Sequence, residues 1–441
     1  MTTPIWDFVR SYAASGTARL HMPGHKGRSF LGCEAWDITE IRGADSLYEA
    51  DGIIAESQAN AAGLFGSGGT FYAAGGSSQC IGAMLYLALT CRPAGAAAMV
   101  LAARNVHKAF IHAAALLDIA VTWIWPEESA PLCSCPISPA ALEAALAGLP
   151  QPPAAVYITS PDYLGGVADI ARLAEVCHQH GTILAVDNAH GAYLHFLEHP
   201  CHPLDLGADI CCDSAHKTLP VLTGGAYLHI GKNAPAGCCS AAKEALALFG
   251  STSPSYLTLS SLDLCNQYLS GDYRARLGDF CRRLDALRAQ LRQQGWRVLN
   301  SDPLRLTVQA AGQGGELAAA LEKAGGAYEY ADPDHLVLML TPENTLEELA
   351  LIGEALEGLT PRNAPLPKLS PARGRQICTI RQAMFQSHRL VPVEEALGRV
   401  CGAPAVSCPP AVPIAVSGEE ITREAAALFR YYHIPLVEIA E

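Results

Sequence analysis

A lysine and an upstream aspartate carry the clearest chemical signal in this chain. Lys217 stands in Ser214-Ala215-His216-Lys217-Thr218 after an apolar run, and Asp187 closes the apolar run Ile183–Val186. Pyridoxal phosphate needs an amine to hold its aldehyde as a Schiff base and an acid opposite its pyridinium nitrogen. Desolvation by apolar neighbours would favour the neutral, nucleophilic form of the lysine. A surface lysine and a capping aspartate are the competing interpretations, but together the two residues predict a pyridoxal phosphate site.

Small residues further upstream could hold the phosphate of such a cofactor. Gly75-Gly76-Ser77-Ser78 precede a helical pattern that runs from Cys80 to Leu89, and backbone amides at a helix N-terminus bind anions. A Walker loop is disfavoured because no Lys-Ser or Lys-Thr follows the glycines at the required spacing. His107 begins another predicted helix, after the strand that ends at Ala102, and could stack on a flat ring at the same sheet edge.

A different chemistry is suggested by His195-Phe196-Leu197-Glu198-His199, which matches the H-x-x-E-H pattern of one zinc protease class. Metal binding by that pattern needs both histidines on one helical face. Pro200 biases His199 out of the helical conformation, so we predict a surface loop here and no metal site.

Short apolar runs alternate with helical patterns between residues 80 and 230. The runs are Ala98–Ala102, Val121–Trp125, Ala155–Thr159, Ile183–Asp187, Ala208–Cys212 and Ala226–Ile230. This alternation predicts an α/β domain with a mostly parallel sheet, and Ser138-Pro139 predicts a capped helix start within it. Functional residues of such sheets gather at the carboxyl ends of the strands, which is where Thr159, Asp187 and Asp213 fall.

The remainder of the chain predicts further domains. After about residue 270 a long amphipathic helix, Tyr273–Gln294, precedes strand patterns and a helix at Thr345–Leu356, as in a smaller α+β domain. A proline-rich linker follows at 360–368. We expect an N-terminal arm at 1–45, a large cofactor-binding domain at 46–270, a small α+β domain at 271–360, and a linker with a C-terminal subdomain at 361–441.

Composition narrows the class of protein. The 441 residues are 50% hydrophobic, carry a formal charge of −13 and show no basic stripe, which argues against nucleic-acid binding. The 16 cysteines lack the spacing of a secreted disulfide framework and predict reduced core thiols. The sequence shows neither a signal peptide pattern nor an apolar run of membrane-spanning length, so we expect a cytoplasmic protein without a membrane partner.

Several motifs together resemble one enzyme family. They are Leu20-His21-Met22-Pro23-Gly24-His25-Lys26-Gly27, Asp37-Ile38-Thr39-Glu40, Gly43-Ala44-Asp45-Ser46-Leu47 and Gly52-Ile53-Ile54-Ala55-Glu56-Ser57-Gln58. With Lys217 and Asp187 they make most of the chain similar to the ornithine, lysine and arginine decarboxylases, which are pyridoxal-phosphate enzymes of fold type I. The resemblance is to a short form without the N-terminal response-regulator-like wing.

The chain departs from the family at three places. Asn188 stands where a glutamate is common, and Ala74-Gly75-Gly76 stands where Asn-Gly-Thr is common. The run Cys408–Pro413 with Gly418-Glu419 is similar to the family's closing motif but lacks its usual tyrosine and glycine.

The resemblance implies a role for each site residue. Lys217 would be the Schiff-base lysine, Asp187 the partner of the pyridinium nitrogen, His107 the ring-stacking residue, and His190 would line the same face. The implied phosphate contacts are Gly76, Ser77, Ser78, Ser214 and His216. The segment Ser251, Thr252 and Ser253 resembles one that completes the neighbouring subunit's site, which implies a homodimer or a higher homo-oligomer.

The implied activity is α-decarboxylation of arginine, lysine or ornithine to carbon dioxide and the corresponding amine, with Lys217 or His216 returning the proton to Cα. Other fold-type I reactions, such as transamination or β-elimination, would use Lys217 and Asp187 equally well. A non-catalytic, decarboxylase-like binding protein is the alternative from another class. Substrate choice stays open because spacing assigns no acidic residue to the distal recognition site.

Overall fold

The computed structural model describes residues 1–126, 132–300, 302–406 and 412–441, so residues 408–411 of the closing motif lie outside the described part. The helices are α1 Pro4–Ala14, α2 Ile53–Phe65, α3 Gly76–Thr90, α4 Lys108–Leu117, α5 Pro139–Ala147, α6 Ile170–Gln179, α7 Ala215–Thr218, α8 Cys238–Ala247, α9 Tyr256–Leu269, α10 Tyr273–Gln293, α11 Gly314–Lys323, α12 Leu346–Glu357, α13 Ile380–Met384, α14 Val393–Ala396 and α15 Arg423–Tyr431. A 3₁₀ helix spans Ala192–Phe196.

The strands are β1 Gly69–Ala73, β2 Ala97–Ala103, β3 Ala120–Ile124, β4 Pro153–Thr159, β5 Ile183–Asp187, β6 Ile210–Asp213, β7 Ala226–Ile230, β8 Arg297–Val298, β9 Arg305–Gln309, β10 Tyr330–Ala331, β11 His335–Met339, β12 His388–Pro392, β13 Ala405–Val406, β14 Ala415–Val416 and β15 Leu436–Ala440.

Local sequence signals fix several of these elements. The strands β5 and β7 have the predicted bounds, and Ser138 caps α5 by accepting a hydrogen bond from the amide of Ala141. The strand β6 begins two residues later than its apolar run. The amide of Ala208 donates to the carbonyl of Pro203, which keeps Ala208 in the preceding turn.

The chain divides into two compact units, of which the first comprises residues 1–98, 149–157 and 170–275. In this unit the strands are neighbours in the order β1-β7-β6-β5-β4. The pair β5 and β6 is parallel, with Asp187 opposite Cys212, whereas β7 runs antiparallel to both β6 and β1. All residues of β5, β6 and β7 are buried, and α3 packs on this part of the sheet. The carboxyl ends of β5 and β6 therefore meet at one edge.

The second unit comprises residues 99–148, 158–169 and 276–441. Here β2 pairs parallel with β3, and a four-stranded antiparallel sheet has the order β10-β11-β9-β8. The helices α11 and α12 pack together, and α11 lies on β11. Near the C-terminus β12 pairs with β15, and β13 with β14. This unit thus contains the α+β pattern expected after residue 270.

The predicted fold class is confirmed: the strands form mixed, mostly parallel sheet structure accompanied by helices. The boundaries 1–45, 46–270, 271–360 and 361–441 stay predictions. Among the helices that the structure describes, none combines the length and the apolar character that a membrane crossing requires.

Candidate functional site

Lys217 lies at the edge where β5 and β6 end. It belongs to α7, the short helix that follows β6, and its amide donates to the carbonyl of Ser214 at 2.9 Å. The half-buried side chain places Nζ 3.0 Å from Nε2 of His190, a buried residue in the turn after β5. The two predicted residues are therefore direct neighbours, with the amine within hydrogen-bond distance of the imidazole.

Asp187 is the last residue of β5 and is buried. Its Oδ2 accepts from the Tyr157 hydroxyl at 3.1 Å, and its Oδ1 accepts from the amide of Ala189 at 3.1 Å and from the Cys212 thiol at 3.6 Å. Burial, reinforced by the charge of Asp187, raises the pKa of Tyr157 well above its ordinary value, so its hydroxyl stays a donor. These three donors are neutral, which leaves the negative charge available to a cationic group. The hydrogen bond from the Ala189 amide also agrees with the competing interpretation of Asp187 as a capping residue.

The N-terminus of α3 has a specific pattern of satisfied and unsatisfied amides. The amide of Gly75 donates to Oε1 of Gln79 at 3.1 Å, and that of Gly76 donates to the carbonyl of Gly224 at 2.7 Å. Helix geometry gives the next two amides, of Ser77 and Ser78, no intrahelical acceptor. The amides of Ser77 and Ser78 are therefore the ones that helix geometry offers to an anion, whereas Gly76, with φ of 71°, uses its amide for Gly224. The anion site itself stays a prediction.

Ser214 and His216 lie beside this helix start. Ser214 donates from its hydroxyl to Oγ of Ser77 at 2.7 Å. His216 binds the carbonyl of Gly225 twice, through its amide at 3.2 Å and through Nδ1 at 3.0 Å. Because Nδ1 is the donor there, Nε2 is the ring atom left for a ligand or a proton. Cε1 of His216 is 3.9 Å from the position that a Cβ on Gly76 would take, so the predicted phosphate residues are grouped.

Two further predicted contacts, His107 and the Ser251–Ser253 segment, belong to other segments of the chain. His107 belongs to the second unit, where it is the N-cap of α4 and Nδ1 accepts from the amide of Ala109 at 3.2 Å. Ser251, Thr252 and Ser253 are exposed between α8 and α9. The ring-stacking role of His107 and the neighbouring-subunit role of Ser251–Ser253 stay predictions.

A buried network around Asp213 was missed by sequence reasoning beyond its place at a strand end. Asp213 closes β6, and its Oδ1 accepts from Nδ2 of Asn188 at 2.6 Å. Its Oδ2 lies 3.0 Å from Nε2 of His202 and 3.1 Å from Nε2 of His229. The available signal was an aspartate and a histidine inside otherwise apolar strands, since buried polar residues require partners.

The H-x-x-E-H segment does not have the geometry of a zinc protease helix. His195 lies in the 3₁₀ helix, and its Nδ1 is 2.9 Å from Oδ2 of Asp205. Glu198 and His199 follow the end of that helix and are exposed. The two histidines of the pattern therefore do not share a helical face.

Comparison with known proteins identifies the class to which this fold and site belong. The model of the Orn/Lys/Arg decarboxylase major domain matches residues 3–342. The chain belongs to this family and is a decarboxylase, as its sequence motifs predict.

Individual relatives agree with this assignment. YaaO of Bacillus subtilis, named as an uncharacterized protein, is 28% identical over 96% of this chain and 93% of its own length. An arginine decarboxylase of Halalkalibacterium halodurans is also 28% identical, over 97% of this chain and 93% of the relative. The solved structure of the constitutive lysine decarboxylase of E. coli superposes with a TM-score of 0.77 at 17% identity, over 100% of this chain and 82% of that chain. At that identity the likeness shows the fold alone.

Proposed function

We propose that this decarboxylase binds pyridoxal phosphate at Lys217 and removes the α-carboxylate of a basic amino acid. The observation that carries the proposal is the proximity of the Lys217 amine to His190, beside Asp187 at the same strand edge. When bound, the cofactor supplies an aldehyde for Schiff-base exchange and a ring that accepts electrons.

The residues present fit this cofactor. Asp187 offers a buried carboxylate whose three donors are neutral, which suits a protonated pyridine nitrogen. The amides of Ser77 and Ser78, at the positive end of the helix dipole, suit a phosphate. The Ser214 hydroxyl contacts Ser77, and Cε1 of His216 lies close to Gly76, so both side chains are at the start of this helix.

The side chains also divide the proton handling. When Lys217 donates to Nε2 of His190, the imidazole orients the amine and can take up the proton that the amine must lose before it attacks an aldehyde. His216 can carry a transferable proton only at Nε2, because its Nδ1 proton is held by Gly225. Lys217 and His216 are thus the two candidates for returning a proton to the substrate Cα.

The substrate and assembly belong to the same proposal. Arginine is the first substrate to test, because the H. halodurans relative is named an arginine decarboxylase, and lysine and ornithine follow. A homodimer is proposed from the Ser251–Ser253 segment. A cytoplasmic location is supported by the cysteines that the structure describes, which are all free thiols, as in a reducing compartment.

The test compares purified wild type with Lys217→Ala, using Lys232→Ala as a control at an exposed lysine. After incubation with pyridoxal phosphate and reduction with borohydride, peptide mass spectrometry should locate the added mass on Lys217. Wild type and Lys232→Ala should release carbon dioxide and the amine of arginine, lysine or ornithine, and Lys217→Ala should release neither. Unchanged turnover in Lys217→Ala would contradict the assignment, and a keto acid product would indicate transamination instead.

A further inference from the structure

The buried carboxylate of Asp213, which has no role in the proposed reaction, links the chain segment that carries Asp187 with the segment that carries Lys217. Asp213 has no exposed surface and accepts hydrogen bonds from Asn188, His202 and His229. Asn188 directly follows Asp187 in the chain, and Asp213 directly precedes Ser214. One side-chain network therefore connects the end of β5 with the start of the Lys217 helix.

The hydrogen bonds fix the protonation states in this network. Nδ1 of His202 accepts from the amide of Leu204 at 3.3 Å, so its proton is on Nε2 and points to Asp213. Burial lowers the pKa of His229, which favours the neutral ring, and its Nδ1 lies 2.8 Å from the Thr70 hydroxyl. Burial alone would raise the pKa of Asp213, but the hydrogen bonds that it accepts from the two histidines lower it below its ordinary value. Asp213 is therefore a buried anion held by surrounding donors.

Strand alternation shows which side of the sheet this anion occupies. Asp187 is opposite Cys212 in the β5–β6 register, and their side chains are in contact. Asn188 and Asp213 are each one residue further along, so their side chains meet on the other face. The backbone ladder continues there, since the amide of Asn188 donates to the carbonyl of Cys212 at 3.0 Å. Asp213 thus lies on the face of the sheet opposite to the Asp187 side chain, where its hydrogen bond to Asn188 joins the two strand ends.

We propose that Asp213 is a positioning residue for the cofactor site. It acts on β5 through its hydrogen bond with Asn188, the residue after Asp187. It acts on Lys217 through the backbone, because Asp213 directly precedes Ser214 and the helix that carries Lys217. This inference rests on the proposed function. It also accounts for the presence of Asn188 where the family commonly has a glutamate. In this chain the carboxylate of the hydrogen bond is Asp213 on β6, so the residue that follows β5 is a neutral amide that can donate to it.

A metal site is the rival interpretation of the same residues. His202, Cys211 and Asp213 offer one ligand atom each within 4.8 Å of one another. Metal binding would require a bare nitrogen on His202, whereas the Leu204 amide occupies Nδ1 and leaves Nε2 protonated. Hydrogen bonding is therefore the interpretation that this geometry favours.

The test exchanges the two residues of the hydrogen bond between Asn188 and Asp213. Asp213→Asn removes the carboxylate that accepts from Asn188, His202 and His229. Asn188→Asp instead brings two carboxyl groups to the 2.6 Å separation of the present hydrogen bond, where they repel each other. In the double variant, Oδ1 of the new asparagine can take the place of Oδ2 between the histidines, while its amide donates to the new aspartate. The matched control is Asp209→Asn, which changes another buried aspartate that pairs with a histidine, at the opposite end of β6. Its partner His178 lies 3.0 Å away and is exposed.

Affinity for pyridoxal phosphate is measured on the apo-protein without substrate, by tryptophan fluorescence. Loss of a charged hydrogen bond predicts at least about tenfold weaker binding for each single variant. The exchanged double variant should recover most of this loss, and Asp209→Asn should bind as wild type even if its melting temperature falls.

Three results would overturn the proposal: wild-type affinity in Asp213→Asn, a double variant that binds no better than the singles, or equal loss of affinity in Asp209→Asn. Stoichiometric zinc in wild type that Asp213→Asn lacks would likewise replace it with the metal interpretation. A wild-type protein that binds the cofactor without releasing carbon dioxide would refute the proposed function instead, while the affinity comparison would still test Asp213.

Discussion

Replacing Glu419 by glutamine should destabilise the second unit strongly, because it breaks a buried ion pair. Arg104 is fully buried, and its Nη1 and Nη2 each lie 2.7 Å from one carboxylate oxygen of Glu419. The guanidinium carbon is 4.8 Å from the Trp123 ring and 4.4 Å from the Trp125 ring. The carbonyl of Pro413 accepts from Nε and Nη2, at 3.3 and 3.2 Å. The pair therefore ties the C-terminal segment to the region after β2.

The magnitude follows from what Glu419→Gln leaves behind. The guanidinium would keep the Pro413 carbonyl and one amide oxygen, but no negative charge would remain beside it. Removing one partner of a buried pair costs about 3–5 kcal/mol, whereas exposed pairs are worth about 0.2–1 kcal/mol. The control is Glu394→Gln, whose partner Arg430 lies at 3.2 Å with 54% of its side chain exposed.

Urea unfolding monitored by tryptophan fluorescence measures both variants. Glu419→Gln should lower the free energy of unfolding by about 3–5 kcal/mol, and Glu394→Gln by less than about 1 kcal/mol. The pair Arg104→Met with Glu419→Leu should be more stable than Glu419→Gln, since it leaves no unpaired charge. A loss below about 1 kcal/mol in Glu419→Gln would refute the reasoning.

Two further predictions concern pH and the phosphate. Burial raises the pKa of Asp263 to about 6. The protonated carboxyl therefore stabilises the folded state fully below the pKa of about 3.9 that it has in the unfolded chain. This contribution, about 3 kcal/mol, is lost as pH rises through about 6. Asp263→Asn should therefore flatten the fall in unfolding free energy that urea titrations measure between those pH values. Ser77→Ala keeps the amide but removes the hydroxyl, which accepts from Ser214 and can donate its own proton to a phosphate. It should therefore weaken binding of pyridoxal phosphate by about tenfold through loss of a charged hydrogen bond. Binding of pyridoxal, which lacks the phosphate, should stay unchanged in the same fluorescence assay.

Local patterns were sufficient for several elements of the fold, including the strand that carries Asp187. The apolar runs ending at Asp187 and spanning Ala226–Ile230 matched β5 and β7, and Ser138-Pro139 matched the start of α5. These signals work because the apolar run of a buried strand and the cap of a helix are both patterns of residues adjacent in sequence.

Pairings between distant residues could not be obtained in this way. Arg104 and Glu419 are separated by 315 positions, and nothing in either local sequence names the other. Asp213 likewise required the fold to bring His202 and His229 together. A buried polar residue signals that a partner exists, but only the tertiary structure identifies it.

The arrangement of acids at the strand ends also explains why Lys217, rather than a nearby thiol, is the nucleophile in the proposal. Cys212 contacts Asp187, and burial together with the nearby aspartates raises the pKa of Cys80 and Cys212 well above their ordinary values. Only a thiolate is strongly nucleophilic, so both sulfurs stay protonated and unreactive toward an aldehyde at neutral pH. The same negative charges favour a cation at Asp187. The negative charges at these strand ends thus suppress the competing nucleophiles and, in the proposed function, favour a protonated cofactor ring.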